Sequence, residues 1–162
     1  MTAIFFFIPF IQSLTLIYES DFSEEQTKEN WTFNSRIKSE HVNINSRSAL
    51  KMTYSSKFYA AASYTISNLH QYVGYDLIFT VDIKADDVSI PTDSWNGVKF
   101  MFVYTENGTT QYPSSTPFKY GTFDWAQTQF FVPITNQSSE TGTLNFGLQD
   151  STGTVYFSNL KI

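Results

Sequence analysis

The sequence predicts an all-β protein, a jelly-roll β-sandwich of about ten short antiparallel strands in one domain. Three observations predict it. Apolar and polar residues alternate with period two in segment after segment, as a half-buried strand requires. No stretch beyond the first fifteen residues keeps the spacing of an amphipathic helix over a useful length. Turn signals interrupt the chain at short intervals, among them Asn107-Gly108, Tyr112-Pro113, Thr116-Pro117 and Thr152-Gly153. At 162 residues the chain can bury one self-sufficient core, and many strands without helices call for two packed sheets.

Taken in order, residues 1–15 read as a secretory signal peptide and residues 16–162 as a single domain. The run 3–11, Ala-Ile-Phe-Phe-Phe-Ile-Pro-Phe-Ile, is too short to span a bilayer, and Ser13 and Thr15 follow where cleavage can fall. No Lys or Arg precedes that run, and the competing reading is a buried first strand. Strands are expected at 16–22, 30–34, 41–45, 49–54 and 59–66. The segment 75–85 alternates most clearly, with Leu77, Phe79, Val81 and Ile83 on one face and Asp76, Thr80, Asp82 and Lys84 mostly on the other. Val98, Phe100, Phe102 and Tyr104 repeat the pattern, and further strands are expected at 128–133, 142–148 and 154–162. Phe79, Phe100, Phe102, Phe130, Phe146 and Phe157 are thereby assigned to the core. Residues 86–97 and 105–124 read as irregular, polar and ring-rich, the places where a sandwich carries function.

Composition excludes several functions. With 10 basic against 15 acidic residues the net charge is −5, which argues against a nucleic-acid binder that relies on a basic face. The absence of cysteine excludes disulfides, a thiol nucleophile and a zinc–thiolate site. The sequons Asn30-Trp31-Thr32, Asn107-Gly108-Thr109 and Asn136-Gln137-Ser138 agree with export and mark Asn30, Asn107 and Asn136 as glycosylation candidates.

Catalysis has little to stand on. Glu19, Asp21 and Glu24 include two carboxylates on one strand face, the kind of pair a glycosidase uses, but at the start of a first strand they are expected to be solvated. His41 and His70 lie far apart, and neither accompanies a nucleophile elbow. No enzyme activity is expected. Exposed rings carry more. Trp31, Trp95, Tyr112, Phe118, Tyr120, Phe123 and Trp125 sit in or beside loops, with Asn96, Lys99, Gln111, Asp124 and Gln149 nearby. A sugar presents C–H groups that stack on an aromatic face and hydroxyls that bond to amides and charged groups. Trp95, Asn96, Lys99, Tyr112, Tyr120, Trp125 and Gln149 are the candidate ligand-binding set. For Trp125 and Phe123 the alternative is a plug at one end of the sandwich.

Three blocks and an ending carry a family resemblance: Lys84-Ala-Asp-Asp-Val88, Trp95-Asn-Gly-Val-Lys-Phe-Met101, Tyr120-Gly-Thr-Phe-Asp-Trp125, and Leu148-Gln-Asp-Ser-Thr-Gly-Thr-Val-Tyr-Phe157. Over residues 75–162 this succession resembles the carbohydrate-binding-module-like, galactose-binding-like sandwiches of secreted glycoside hydrolases. The resemblance implies a secreted jelly roll that binds polysaccharide without catalysis, often beside a glycoside hydrolase catalytic domain. The other role it allows is a structural ancillary domain with no ligand of its own. No cofactor is required, but the group often holds a structural calcium ion between its first and last strands, which would draw here on Glu19 and Asp21. The last strand departs from the group by offering Ser158-Asn159 where an Asp is usual. No membrane span and no nucleic-acid partner are expected.

Overall fold

The computed structural model describes residues 14–23 and 31–162. Among these are eleven strands: β1 (Glu19–Ser20), β2 (Trp31–Phe33), β3 (Lys38–Ile44), β4 (Arg47–Tyr54), β5 (Tyr59–Ile66), β6 (Asp76–Val88), β7 (Gly97–Glu106), β8 (Thr109–Gln111), β9 (Gly121–Pro133), β10 (Gly142–Gln149) and β11 (Gly153–Lys161). A single 3-10 turn over Leu69–Tyr72 is the helical exception. The strands form two antiparallel sheets. One runs β3-β4-β11-β6-β9 with β1 paired to the end of β11, and the other runs β2-β5-β10-β7-β8. The expected all-β sandwich is the observed one.

Alternation positions the core. Leu77, Phe79, Val81 and Ile83 of β6 and Val98, Phe100 and Phe102 of β7 are all buried. The six phenylalanines assigned to the interior are there. Their rings form a continuous chain, with Phe79 4.8 Å from Phe102 and 4.9 Å from Phe130, Phe100 5.0 Å from Phe130 and 5.3 Å from Phe146, and Phe146 5.1 Å from Phe157. Truncating one such ring typically costs about 3–5 kcal/mol. This is how a chain without disulfides reaches stability.

Two readings change. Residues 105–124 are less irregular than their composition says. β7 continues to Glu106, Asn107 (φ 49°) and Gly108 (φ 73°) make a tight hairpin turn into β8, and β9 begins at Gly121. Between them, the Phe102 N–H donates to Pro113 O, the Ser115 N–H to Phe100 O and the Val98 N–H to Lys119 O, so residues 113–119 cover the free edge of β7. Pro113 and Pro117 hid this from the pattern because they interrupt regular pairing. The start of β9 was hidden for another reason. The β6–β9 register shifts between Ile83 and Ala85 and again before Val88, which breaks the alternation around Phe123 and Trp125.

Candidate functional site

Directly paired residues share a face of the sheet, so register shows what each outer surface presents. On the five-stranded sheet, Leu144, Phe146 and Leu148 of β10 point to the core, and Thr143, Asn145, Gly147 and Gln149 point out. Gln149 stands between Tyr59 of β5 and Gly97 of β7. The next outward row is Ala61, Gly147 and Lys99, and the one after is Ser63, Asn145 and Met101, with Ser114 alongside. The Ser63 hydroxyl donates to Asn145 Oδ1 at 2.9 Å. Small residues therefore floor this face, and large rings rise around it. Tyr59, Tyr112 and Trp95 are 55%, 61% and 64% exposed. Burial, then the neighbouring Tyr112 hydroxyl, push the Tyr59 phenol up from its ordinary value.

The loop ahead of β7 places Trp95. Its ties run to the β10–β11 turn: the Thr92 N–H donates to Asp150 Oδ2 at 2.7 Å, and Ser89 and Thr152 exchange bonds of 2.9 Å. The Thr92 N–H holds the Asp150 carboxyl below the usual carboxylate range. Gly97 then lets the chain enter β7, since its φ is +100° and a Cβ there would stand 2.1 Å from Lys119 O. Lys99 is only 8% exposed, and its ammonium donates to the Trp95 carbonyl. Burial, then the Lys119 charge, push that ammonium down to about 8. Asn96 Oδ1 and Thr116 Oγ1, on the segments flanking the start of β7, are buried without a hydrogen-bond partner.

Of the ligand-binding candidates, the structure brings Trp95, Asn96, Lys99, Tyr112 and Gln149 to this face or its rim. Tyr59, absent from that set, completes it. Its signal was legible as Tyr59-x-Ala61-x-Ser63 facing away from Ala62, Tyr64 and Ile66. Tyr120 is exposed where the chain crosses to the other sheet. Trp125 is elsewhere altogether, on the outer face of the six-stranded sheet. The Arg47 guanidinium lies 4.8 Å from its ring centroid, and the Tyr156 ring lies 6.4 Å away. Trp125 is therefore not brought together with Trp95, because β9 belongs to the opposite sheet.

That second face closes on itself. Arg47 pairs with Asp82 Oδ2 at 2.7 Å, Asn159 Nδ2 donates to the same oxygen at 2.7 Å, and Gln127 reaches Asp82 Oδ1 at 3.4 Å. Lys51 pairs with Glu40 at 2.6 Å, and Lys84 lies 3.6 Å from both Asp86 and Asp124. The Lys51 hydrogen bond and charge hold Glu40 low, and the Trp125 N–H, then Lys84, do the same for Asp124. Burial, with Asp86 adding to it, pushes Tyr156 up to about 12.

The remaining candidates fall outside both faces. Glu19 and Asp21 line a cleft of about 260 Å³ with Asn159 and Lys161, and Asp21 accepts a bond from the Ser23 N–H at 2.8 Å. Among the described residues no group of three or more His, Asp or Glu is placed to hold a metal ion. Two carboxylates beside a lysine fall short, by themselves, of the six to eight oxygens calcium takes. Glu24 lies outside the described residues. His41 and His70 each bond a backbone carbonyl, of Phe22 at 2.6 Å and of Ser138 at 2.7 Å. A second cleft, about 580 Å³, is mostly apolar and lies where residues 14–17 meet Tyr75, Leu77 and Ile162. Asn107 and Asn136 are exposed in adjoining turns, and Asn30 is outside the described residues.

Comparison with solved structures fits this architecture. The C-terminal family 22 carbohydrate-binding module of Clostridium thermocellum Xyn10B superposes with a TM-score of 0.60 at 14% identity, covering 90% of this chain and 92% of that one. The chain has the carbohydrate-binding-module fold. The CBM22-1 xylan-binding domain of Paenibacillus barcinonensis Xyn10C gives 0.57 at 14% identity, covering 91% and 92%. The family 11 module of the Clostridium thermocellum cellulase Lic26A-Cel5E gives 0.52 at 11% identity, covering 91% and 95%. No protein-family model and no curated protein matches the sequence. Among the described residues no helix is long and apolar enough to cross a membrane.

Proposed function

We propose that this chain is a non-catalytic, secreted carbohydrate-binding domain that holds a polysaccharide against the outer face of its five-stranded sheet. The observation that carries the proposal is the floor of Ala61, Gly147 and Asn145 overlooked by the exposed rings of Tyr59, Tyr112 and Trp95. Rings supply stacking area at little entropic cost, and Gln149, Asn145 and Ser63 supply hydroxyl partners. Solved structures of like fold are named for xylan and for a mixed-linked tetrasaccharide, and one joins such a module to a GH10 module with xylohexaose. The proposed partners are accordingly a glycan and a neighbouring glycoside hydrolase domain. The leader at residues 1–15 and glycans at Asn107 and Asn136 belong to the same extracellular reading.

Titration calorimetry and affinity gels on xylan, mixed-linkage β-glucan, mannan and cellulose test it. Tyr59→Ala and Tyr112→Ala together should weaken the best ligand about tenfold while leaving the melting temperature within about 1 °C. No retention on any glycan would sink the binding proposal and leave the structural ancillary role.

A further inference from the structure

The outward strand positions of the five-stranded sheet carry no Asp or Glu. Among Tyr59, Ala61, Ser63 and Thr65 of β5, Thr143, Asn145, Gly147 and Gln149 of β10, and Gly97, Lys99, Met101, Val103 and Thr105 of β7, Lys99 is the one charged residue. Its surroundings are unusual for a lysine. It is more than nine-tenths buried, it uses one proton on the Trp95 carbonyl, and among the described residues no carboxylate pairs with it. The charge that acts on it is another cation, Lys119, on the segment that covers the edge of β7. A buried, unpaired ammonium is costly, and the ordinary remedy is a facing carboxylate. The opposite sheet applies that remedy to Arg47, Lys51 and Lys84.

We infer that Lys99 and Lys119 await an anion from the ligand, and that this face takes an acidic polysaccharide whose uronic-acid carboxylate docks between them. The inference rests on the glycan-binding reading and narrows it to a substrate class. Trp95, whose carbonyl takes the Lys99 proton, leaves its side chain exposed for a sugar to stack on while the carboxylate meets the ammonium groups. Lys99 has two protons left for such a contact. A carboxylate brought between two cations also gains from the low dielectric beside a covered sheet.

The test compares glucuronate-substituted xylan with the same polymer after chemical reduction of its carboxyl groups, by calorimetry at pH 6.5 and low salt. The acidic polymer should bind about five- to tenfold tighter, and the preference should shrink as salt rises. Lys99→Gln should bring the ratio toward one. Lys119→Gln, at a more exposed position, should reduce it as well and serves if the Lys99 variant fails to fold. Equal affinity for the two polymers in the wild type overturns the acidic class while the glycan reading stands. A preference that survives in both folded variants overturns the assignment to these lysines. Failure to retain either polymer, with neutral β-glucan or mannan retained, also overturns the acidic class alone. Failure on every glycan removes the underlying reading.

Discussion

The two outer faces of this sandwich are built from similar residues and end in opposite states. Each has a tryptophan, tyrosines, amides and lysines. On the six-stranded sheet these groups satisfy one another: Arg47 lies over Trp125 and pairs with Asp82, which also binds Asn159 and Gln127. On the five-stranded sheet Ser63 and Asn145 pair, but the groups around Lys99 and the rings do not. Lys99 has only a carbonyl, Asn96 Oδ1 has nothing, and Tyr59, Tyr112 and Trp95 stand in solvent. Presence of rings and charges is therefore a poor guide to a binding surface. What distinguishes a surface waiting for a partner is the valence left over after the protein has paired its own groups.

If the six-stranded face is structural, damaging it should cost stability and spare binding. Asp82→Ala removes an acceptor shared by three donors and leaves Arg47 without its partner. We expect a loss of about 2 kcal/mol and a fall of about 5 °C in melting temperature, followed by calorimetry. Glycan affinity of the folded variant should stay within twofold. A weakening comparable to that of the Tyr59 and Tyr112 variants would mean that the two faces are not separable.

How far this contrast was legible in the sequence depends on what each residue's role required. The fold needed only alternation, and β6 and β7 displayed it without interruption. Lys99 and Gln149 were legible as polar neighbours of a ring-rich segment, and their faces follow from parity with Phe100 and Leu148. The assignment of Trp125 was not legible. It lies thirty residues from Trp95, but the chain between them first covers β7 and then crosses to the other sheet, a change that pattern alone does not record. Tyr59 was overlooked because a tyrosine opening a regular strand reads as core until its outward partners, Ala61 and Ser63, are seen to be small. Whether a charge is paired is a three-dimensional fact. The Arg47–Asp82 pair spans thirty-five residues, and no spacing announces it.

A smaller effect tests the unpaired state of Lys99 without any ligand. Because its folded pKa is lowered to about 8, the unfolded chain binds more protons between that value and the ordinary lysine value near 10.5. The cost of burying the charge is thus fully present below about pH 8 and fades as pH rises through that window. Lys99→Met should be more stable than wild type at pH 7 by about 1 kcal/mol, a figure kept modest because solvent screens part of the charge. Its advantage should shrink steadily between pH 8 and 10 in denaturant titrations. Tyrosines such as Tyr59 and Tyr104, held above their ordinary value, act in both proteins alike and drop out of the difference. An advantage that is flat across this range would show that Lys99 is not an isolated charge, and the contrast between the faces would lose its sharpest member.

The smallest effect belongs to the seam where β1 joins β11. Glu19 pairs in register with Lys161, and Asp21 already accepts a backbone bond within its own turn. A calcium ion there would have to compete with a lysine in the same cleft and find most of its oxygens beyond the two carboxylates. Millimolar calcium or its chelation should therefore move the melting temperature by less than about 1 °C, since stabilisation by a ligand grows only with its concentration over Kd. A rise of several degrees, lost in Asp21→Asn, would instead assign the seam as a metal site. The first strand would then be held by an ion, and the two faces would share a joint sensitive to calcium.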